Sequence, residues 1–250
     1  MSTEAVIETN ALTKIYNGQP AVDQLTFNVH AGEIFGFLGP NGAGKTTTLL
    51  MLLGLTEPTS GSAKVLGLDP SRNPIKVKTM IGYLQENMGF YRDLNARQML
   101  HFIAELNAIK PDIADERITA ALQTVGLTEE QDKKIGAYSR GMRQRLGLAE
   151  LLIKDSKVAF LDEPTLGLDP EASHRMIEQI QNLSRDKKMT ILLSSHMLHQ
   201  VQQICHRIGI MIKGRMVAQG AIDQLAQEKF GVGKEQYTLE EIYMKYFQEA

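Results

Sequence analysis

A single cysteine, Cys205, stands in 250 residues. No disulfide can therefore close within the chain, which fits a reducing compartment. No apolar run approaches the roughly 20 residues that a bilayer-crossing helix needs, so any work at a membrane would go through a partner. An excess of one charge is also missing. With 27 Lys and Arg against 29 Asp and Glu the formal net charge is −2, and long-range attraction to nucleic acid or anionic lipid is not implied. The opening MSTEAVIETN is polar and acidic and lacks the basic-then-apolar pattern of a signal peptide. There is no internal repeat, low-complexity tract or second phosphate loop. The length suffices to bury a sizeable core in one large α/β domain or two small ones.

Short β-runs alternate with helical segments. Residues 5–9 and 24–29 read as strands of a small antiparallel sheet, and EIFGFLG, residues 33–39, as a buried strand entering a glycine-rich loop. A helix should start near Lys45 and end at Gly54, followed by the apolar runs AKVLG and MIGYLQ. From 94 to 128 the pattern turns helical, broken at Lys110-Pro111 with Gly126 as C-cap. This block interrupts the alternation and reads as an inserted helical subdomain near 87–155. Alternation resumes with KVAFLDEP, the helix EASHRMIEQIQNL, the strand MTILLSS, another helix, and the hairpin IGIMIKGRMVAQ turning at Lys213-Gly214. Residues 221–250 read as an amphipathic helical extension to a domain ending near 220.

GPNGAGKT, residues 39–46, matches the phosphate-loop pattern G-x-x-x-x-G-K-[ST] in full. Across Gly39, Pro40, Asn41, Gly42, Ala43 and Gly44, backbone N–H groups can converge on phosphate oxygens. The following helix, opening at Lys45, Thr46 and Thr47, presents its positive end to the same charge. Lys45 would reach the β- and γ-phosphates, and Thr46 would place its hydroxyl on Mg²⁺. VAFLDEP supplies a second half: Asp162 and Glu163 end an apolar strand, where α/β proteins bind ligands. One carboxylate can hold the metal and the next can deprotonate an attacking water.

With these motifs in this order, residues 5 to about 220 resemble the nucleotide-binding subunit of an ABC transporter. The resemblance implies that Tyr16 stacks on adenine and that Gln85, in GYLQEN, contacts Mg²⁺ and relays to the membrane partner. It also implies a D-loop at LGLD ending in Asp169, and a switch histidine, His196, reading the γ-phosphate. YSRGM, residues 138–142, occupies the place of the signature LSGGQ. Ser139 and Gly141 match it, a hydroxyl donor and a glycine allowing close backbone approach at a helix N-terminus; Tyr138, Arg140 and Met142 depart from it. In the family this element closes over ATP held by the other subunit, so two head-to-tail chains sandwich two nucleotides. S-x-G-M-x-Q-R and the ending TLEEIYMKYF resemble the ATPases of ABC-2-type exporters. Arg140, Arg143 and Arg145 read as solvated helix charges, Arg145 also matching a basic position of the family.

The implied fold is α/β: a P-loop NTPase core with a mainly parallel sheet, an antiparallel N-terminal β-subdomain and the inserted α-helical subdomain. The implied function is an ATPase using ATP and Mg²⁺, peripheral on the cytoplasmic face of the membrane. Its partners would be a polytopic membrane-spanning subunit and a second nucleotide-binding subunit in a homodimer, with no nucleic acid. Two alternatives are weaker. A soluble ABC ATPase on ribosome or DNA is disfavoured by the single nucleotide domain and near-neutral charge. A small-molecule kinase would not explain the ordered Gln85, signature, Asp162-Glu163 and His196 series. His196, His199, Cys205 and His206 could suggest zinc, but no second ligand pair sits at finger spacing, and Mg²⁺ is the only metal expected.

Overall fold

Asn17 and Gly18 both adopt positive φ, 49° and 79°, the two-residue turn that matches the twist of a hairpin. They join β1 (Ala5–Tyr16) to β2 (Gln19–His30), so the expected pair of short strands is one long hairpin. A third strand, β4 (Ser60–Val65), pairs antiparallel with β1 and gives the order β2-β1-β4. The computed structural model describes residues 4–231 and 237–249.

The second sheet holds β3 (Ile34–Leu38), β5 (Ile81–Leu84), β6 (Val158–Asp162), β7 (Thr190–Ser195), β8 (Arg207–Ile212) and β9 (Arg215–Gly220). Its order is β5-β6-β7-β3-β8-β9, and every pairing is parallel except β8 with β9. Strands β3, β6 and β7 are buried along their whole length, which is why each reads as a nearly continuous apolar run. Side chains of alternate parity go to opposite faces. Phe35, Phe37, Phe160 and Leu192 meet Phe27 of the hairpin and α1 (Lys45–Leu52), the Phe27 and Phe37 rings lying 5.3 Å apart. Ile34, Leu38, Leu161 and Leu193 meet the helices on the other side.

Those helices include α3 (Ala96–Leu106), α4 (Pro111–Thr124) and α5 (Arg140–Ile153), all between β5 and β6. Asn95 opens α3 with a reciprocal capping box to Gln98, Pro111 sits in the first turn of α4, and Gly126 follows α4 at φ 64°. A short helix absent from the sequence expectation, α2 (Pro74–Met80), precedes β5. Further on come α6 (Pro170–Lys187), α7 (Leu198–Ile204), α8 (Ile222–Phe230) and α9 (Leu239–Glu249). The segment expected as a C-terminal extension packs inward: Leu225, Leu239, Ile242 and Tyr246 share a core cluster with Val201 and Ile210. Among the described residues no helix is long and apolar enough to cross a membrane.

Candidate functional site

Beyond Leu38 the chain makes the loop 39–44, and α1 begins at Lys45 with Gly44 as its N-cap at φ 101°. Any Cβ on Gly44 would lie 2.4 Å from the Ala21 carbonyl oxygen, so glycine is the one residue that fits between this loop and β2. The loop is also pinned where Gly214 N–H donates to the Ala43 carbonyl at 3.1 Å. Lys45 is 6% exposed, and its Nζ donates to the carbonyls of Gly39 at 2.6 Å and Pro40 at 3.2 Å. Burial depresses the Lys45 ammonium pKa, opposed by the charges of Glu163 and Asp162. The first turn of α1 carries no acidic residue, so its positive end is not neutralised locally. These groups line a cleft of about 420 Å³ with Asn41, Thr46, Thr47 and the two carboxylates, a volume that suits a small ligand.

Asp162 and Glu163 are consecutive yet turned to different partners. Asp162 closes β6 beside Ser194 of β7. Its Oδ1 accepts from the Ser194 hydroxyl, and its Oδ2 accepts from Thr46 Oγ1 at 3.1 Å and from Tyr83 at 3.5 Å. Burial and the Asp162 charge push the Tyr83 phenol up, so it stays a donor. Glu163 leaves the strand in the left-handed conformation, φ 48°, with its N–H on the Ser194 carbonyl at 3.1 Å. That turn carries its carboxylate to His196, whose Nδ1 lies 3.0 Å from Oε2 and whose backbone N–H lies 3.4 Å from the same oxygen. One carboxylate is thus held by hydroxyls, and the other faces an imidazole.

The Thr46 and Asp162 oxygens suit a small hard dication: adjacent ligands of an octahedral Mg²⁺ at ~2.1 Å stand about 3 Å apart. Among the described residues no three or more His, Cys, Asp or Glu converge on a metal position. The residues weighed for zinc diverge: His196 faces Glu163, His206 Nδ1 accepts from Ile34 N–H at 2.9 Å, and His199 meets Gln203 at 3.4 Å.

Of the expected residues, Gly39 and Pro40 lie behind Lys45, His196 reaches the cleft only through Glu163, and Gln85 and Tyr16 stand away from its wall. Gln85 is exposed just past β5, and the neighbouring Glu86 lines the cleft. A strand ending at Leu84 sends successive side chains to opposite sides, so a one-residue shift decides which enters. Tyr16 is 45% exposed at the hairpin tip, 5.1 Å beneath Lys14 Nζ, while Ala21 of the same hairpin reaches the cleft. Sequence reasoning also missed Ser194 and Tyr83. In SSHM the motif marks only the histidine, and in GYLQEN only the glutamine.

Ser139, Gly141 and Asp169 form a second group outside that lining. Ser139 caps α5 by accepting from Met142 N–H at 3.2 Å, and Asp169 caps α6 by accepting from Ala172 N–H at 2.8 Å. A Cβ on Gly141 would lie 3.3 Å from Ala172 Cβ, so two helix N-termini stand side by side. The arginines correct the expectation of solvated helix charges, because each donates to a backbone carbonyl. Arg140 reaches Glu86 at 3.5 Å, Arg143 reaches Tyr138 at 2.7 Å, and Arg145 reaches Val125 at 3.2 Å and Gly126 at 2.8 Å. The carbonyls at the end of α4 lack helical partners and attract such donors. Tyr138, where the family has leucine, is buried with its hydroxyl on the Glu130 carbonyl at 2.7 Å, and burial first, then the Glu130 charge, pushes the phenol up to about 12.

Comparison with known proteins gives the same assignment. Residues 22–166 match the ABC transporter domain model. The chain is 42% identical over 226 residues to the bacitracin transport ATP-binding protein BcrA of Bacillus licheniformis, covering 90% of this chain and 72% of that one. It is 37% identical over 227 residues to the Nod factor export ATP-binding protein I of Burkholderia pseudomallei, covering 91% and 74%. A solved ATP-binding subunit of an ABC transporter superposes with a TM-score of 0.86 at 28% identity, covering 97% of this chain and 99% of that one. The phosphate loop, the paired carboxylates and these matches agree: the chain belongs to the ABC transporter family and is one of its ATP-binding, ATP-hydrolysing subunits.

Proposed function

We propose that the chain is the ATPase of an exporter, carried on the cytoplasmic face of the membrane by a polytopic partner subunit. The loop 39–44, Lys45 and Thr47 bind the phosphates of ATP, and Thr46 with Asp162 holds Mg²⁺, which neutralises phosphate charge when bound. Glu163 is the general base that takes the proton of the attacking water, and His196 orients it through the Nδ1 contact. The single observation that carries this reading is the divergence of the two carboxylates, Asp162 onto Thr46 and Glu163 onto His196.

The lining of the phosphate cleft leaves out Ser139, Gly141 and Asp169, which supports their acting on ATP held by a second copy of the chain. Tyr16 and Gln85 complete the site by contacting adenine and Mg²⁺ as the two copies close. The membrane partner docks in the cleft of about 480 Å³ between Glu86, Phe90 and the N-terminal half of α5. The relatives named for bacitracin transport and Nod factor export support a transport role over one on ribosome or DNA.

The decisive experiment compares Glu163→Gln with Lys45→Ala. Glu163→Gln keeps the shape and removes the proton acceptor, so steady-state hydrolysis falls by about 10² or more while ATP still binds. Lys45→Ala loses ATP binding itself, because a charge-assisted contact goes. Near-wild-type turnover in Glu163→Gln would exclude the assignment of the base. Pull-down from native membranes recovers an integral membrane protein; recovery of ribosomes or DNA would reverse the functional reading.

A further inference from the structure

Arg140 stands where the family signature has glycine, and its side chain joins three segments distant in sequence. It opens α5 directly after Ser139. Its Nη2 donates to the Glu86 carbonyl at 3.5 Å, and one turn further along α5 Gln144 Nε2 donates to the same oxygen at 3.2 Å. Glu86 borders both the phosphate cleft and the cleft under the helical subdomain. The guanidinium also lies against Gly167, where an added Cβ would sit 3.0 Å from Nη1 and 3.2 Å from Cζ. Gly167 has φ 70° and lies two residues before Asp169, the cap of α6.

We infer that Arg140 is a positioning residue that locks the Glu86 loop, the Ser139–Gly141 helix end and the Gly167–Asp169 loop into one unit. The chemistry favours arginine over lysine here. A planar guanidinium can present its edge to a carbonyl and its face to a glycine at once, whereas a tetrahedral ammonium can do only the first. Glu86 accepts from two donors on one helix, so a displacement of its loop is transmitted to α5. Arg140 Nε is buried without an acceptor, an unmet donor beside the 166–169 loop. An arrangement in which the 166–169 loop offers Nε a carbonyl would be favoured electrostatically. Arg140 thereby ties the residues of the cleft in one copy to those facing the ATP of the other. This function rests on the two-copy reading above; the intrachain lock does not.

Hydrogen exchange on the isolated chain tests the lock, and nucleotide experiments test its use. In Arg140→Ala, amides at 86–90 and 166–169 should exchange about tenfold faster together, with 39–46 unchanged. Arg140→Lys should restore protection at 86–90 and not at 166–169. Arg143→Ala removes the same charge one turn along but bonds only the Tyr138 carbonyl; it should leave both loops as they are. Arg140→Ala should also lower kcat about tenfold while MgADP binds as in the wild type, since the phosphate loop is untouched. Unchanged exchange at both loops, or an equal effect from Arg143→Ala, would overturn the inference. If Glu163→Gln with Arg140 intact forms no ATP-dependent dimer, the two-copy reading fails instead, and the exchange data still decide the lock.

Discussion

Ser194 shows how much of the chemistry rests on residues that do none of it. Its hydroxyl donates to Asp162 Oδ1, and its hydroxyl and carbonyl both receive the Glu163 N–H, so one serine fixes the Asp162 carboxylate and the backbone turn that carries Glu163. Ser194→Ala should weaken apparent Mg²⁺ affinity about tenfold, in line with the loss of other metal-supporting contacts. A Mg²⁺ titration of ATPase activity reads this, and ATP binding in EDTA should be unchanged. Cys205 makes a different residue-scale prediction. Burial and then the Glu33 carboxylate push its thiol well up from the ordinary value. Since the thiolate is the nucleophile, alkylation at pH 8.5 should run at least about tenfold slower in the native chain than in the unfolded one. The sign of the linkage follows. A raised native pKa contributes stability below the unfolded thiol value, about 8.5, and that contribution is lost as pH rises toward the native value. The gathering of Lys45, Thr46, Asp162 and Glu163 about one cleft, with His196 against Glu163, was legible because each belongs to a short motif with one backbone geometry. The sequence did not reveal that Glu86 borders the cleft, nor that three arginines would find carbonyls. Those outcomes depend on where a strand ends and which helix end lies opposite.

At the scale of elements, the strands with two buried faces were legible as apolar runs, and the helices that cover them as periodic ones. The hairpin was underestimated. Residues 10–16 and 19–23 alternate irregularly, because register shifts between Thr9 and Leu12 and between Leu12 and Lys14 break the period of two. Helix α2 was missed because seven residues with one buried side chain, Val77, carry almost no periodic signal. The helical subdomain, by contrast, should stand or fall with its caps and core. Asn95→Ala breaks the reciprocal cap of α3 and should cost about 1 kcal/mol. Leu100→Ala, at a fully buried position in the same helix, should cost about 2–5 kcal/mol. Urea unfolding followed by circular dichroism measures both, and the larger loss should belong to Leu100→Ala.

At the scale of the whole molecule, the two groups of functional residues predict a geometry between copies. With Cys205→Ser removing the native thiol, cysteines placed at Asn41 and Met142 should bridge only between chains, since a disulfide requires Cα atoms within about 7 Å. ATP should raise the yield in the Glu163→Gln background, where the closed dimer persists. A bridge within one chain, or a yield indifferent to ATP, would show that Ser139 and Gly141 serve only their own helix.

Helix α5 is common property of two parts of the molecule. Near its middle, Gly147 lies so close to β5 that a Cβ there would come within 2.3 Å of Leu84 Cδ1. Just past its C-terminal end, Lys154 Nζ donates to the carbonyls of Lys78 and Ile81 at 3.3 Å and 3.0 Å. The rear of the helix is therefore bolted to β5 and the end of α2, while Ser139 at its front lies about 12 Å from Gly147 at 1.5 Å per residue. Because the front is tied in turn through Arg140 and Gln144 to the Glu86 carbonyl, a tilt at the clamp is passed along the helix to the loops that hold its tip. Gly147→Ala, which wedges the clamp by a single methyl group, should thus disturb the tip more than the phosphate loop. ATP affinity of the single chain would hold, and the interchain bridge from Met142 would form more slowly.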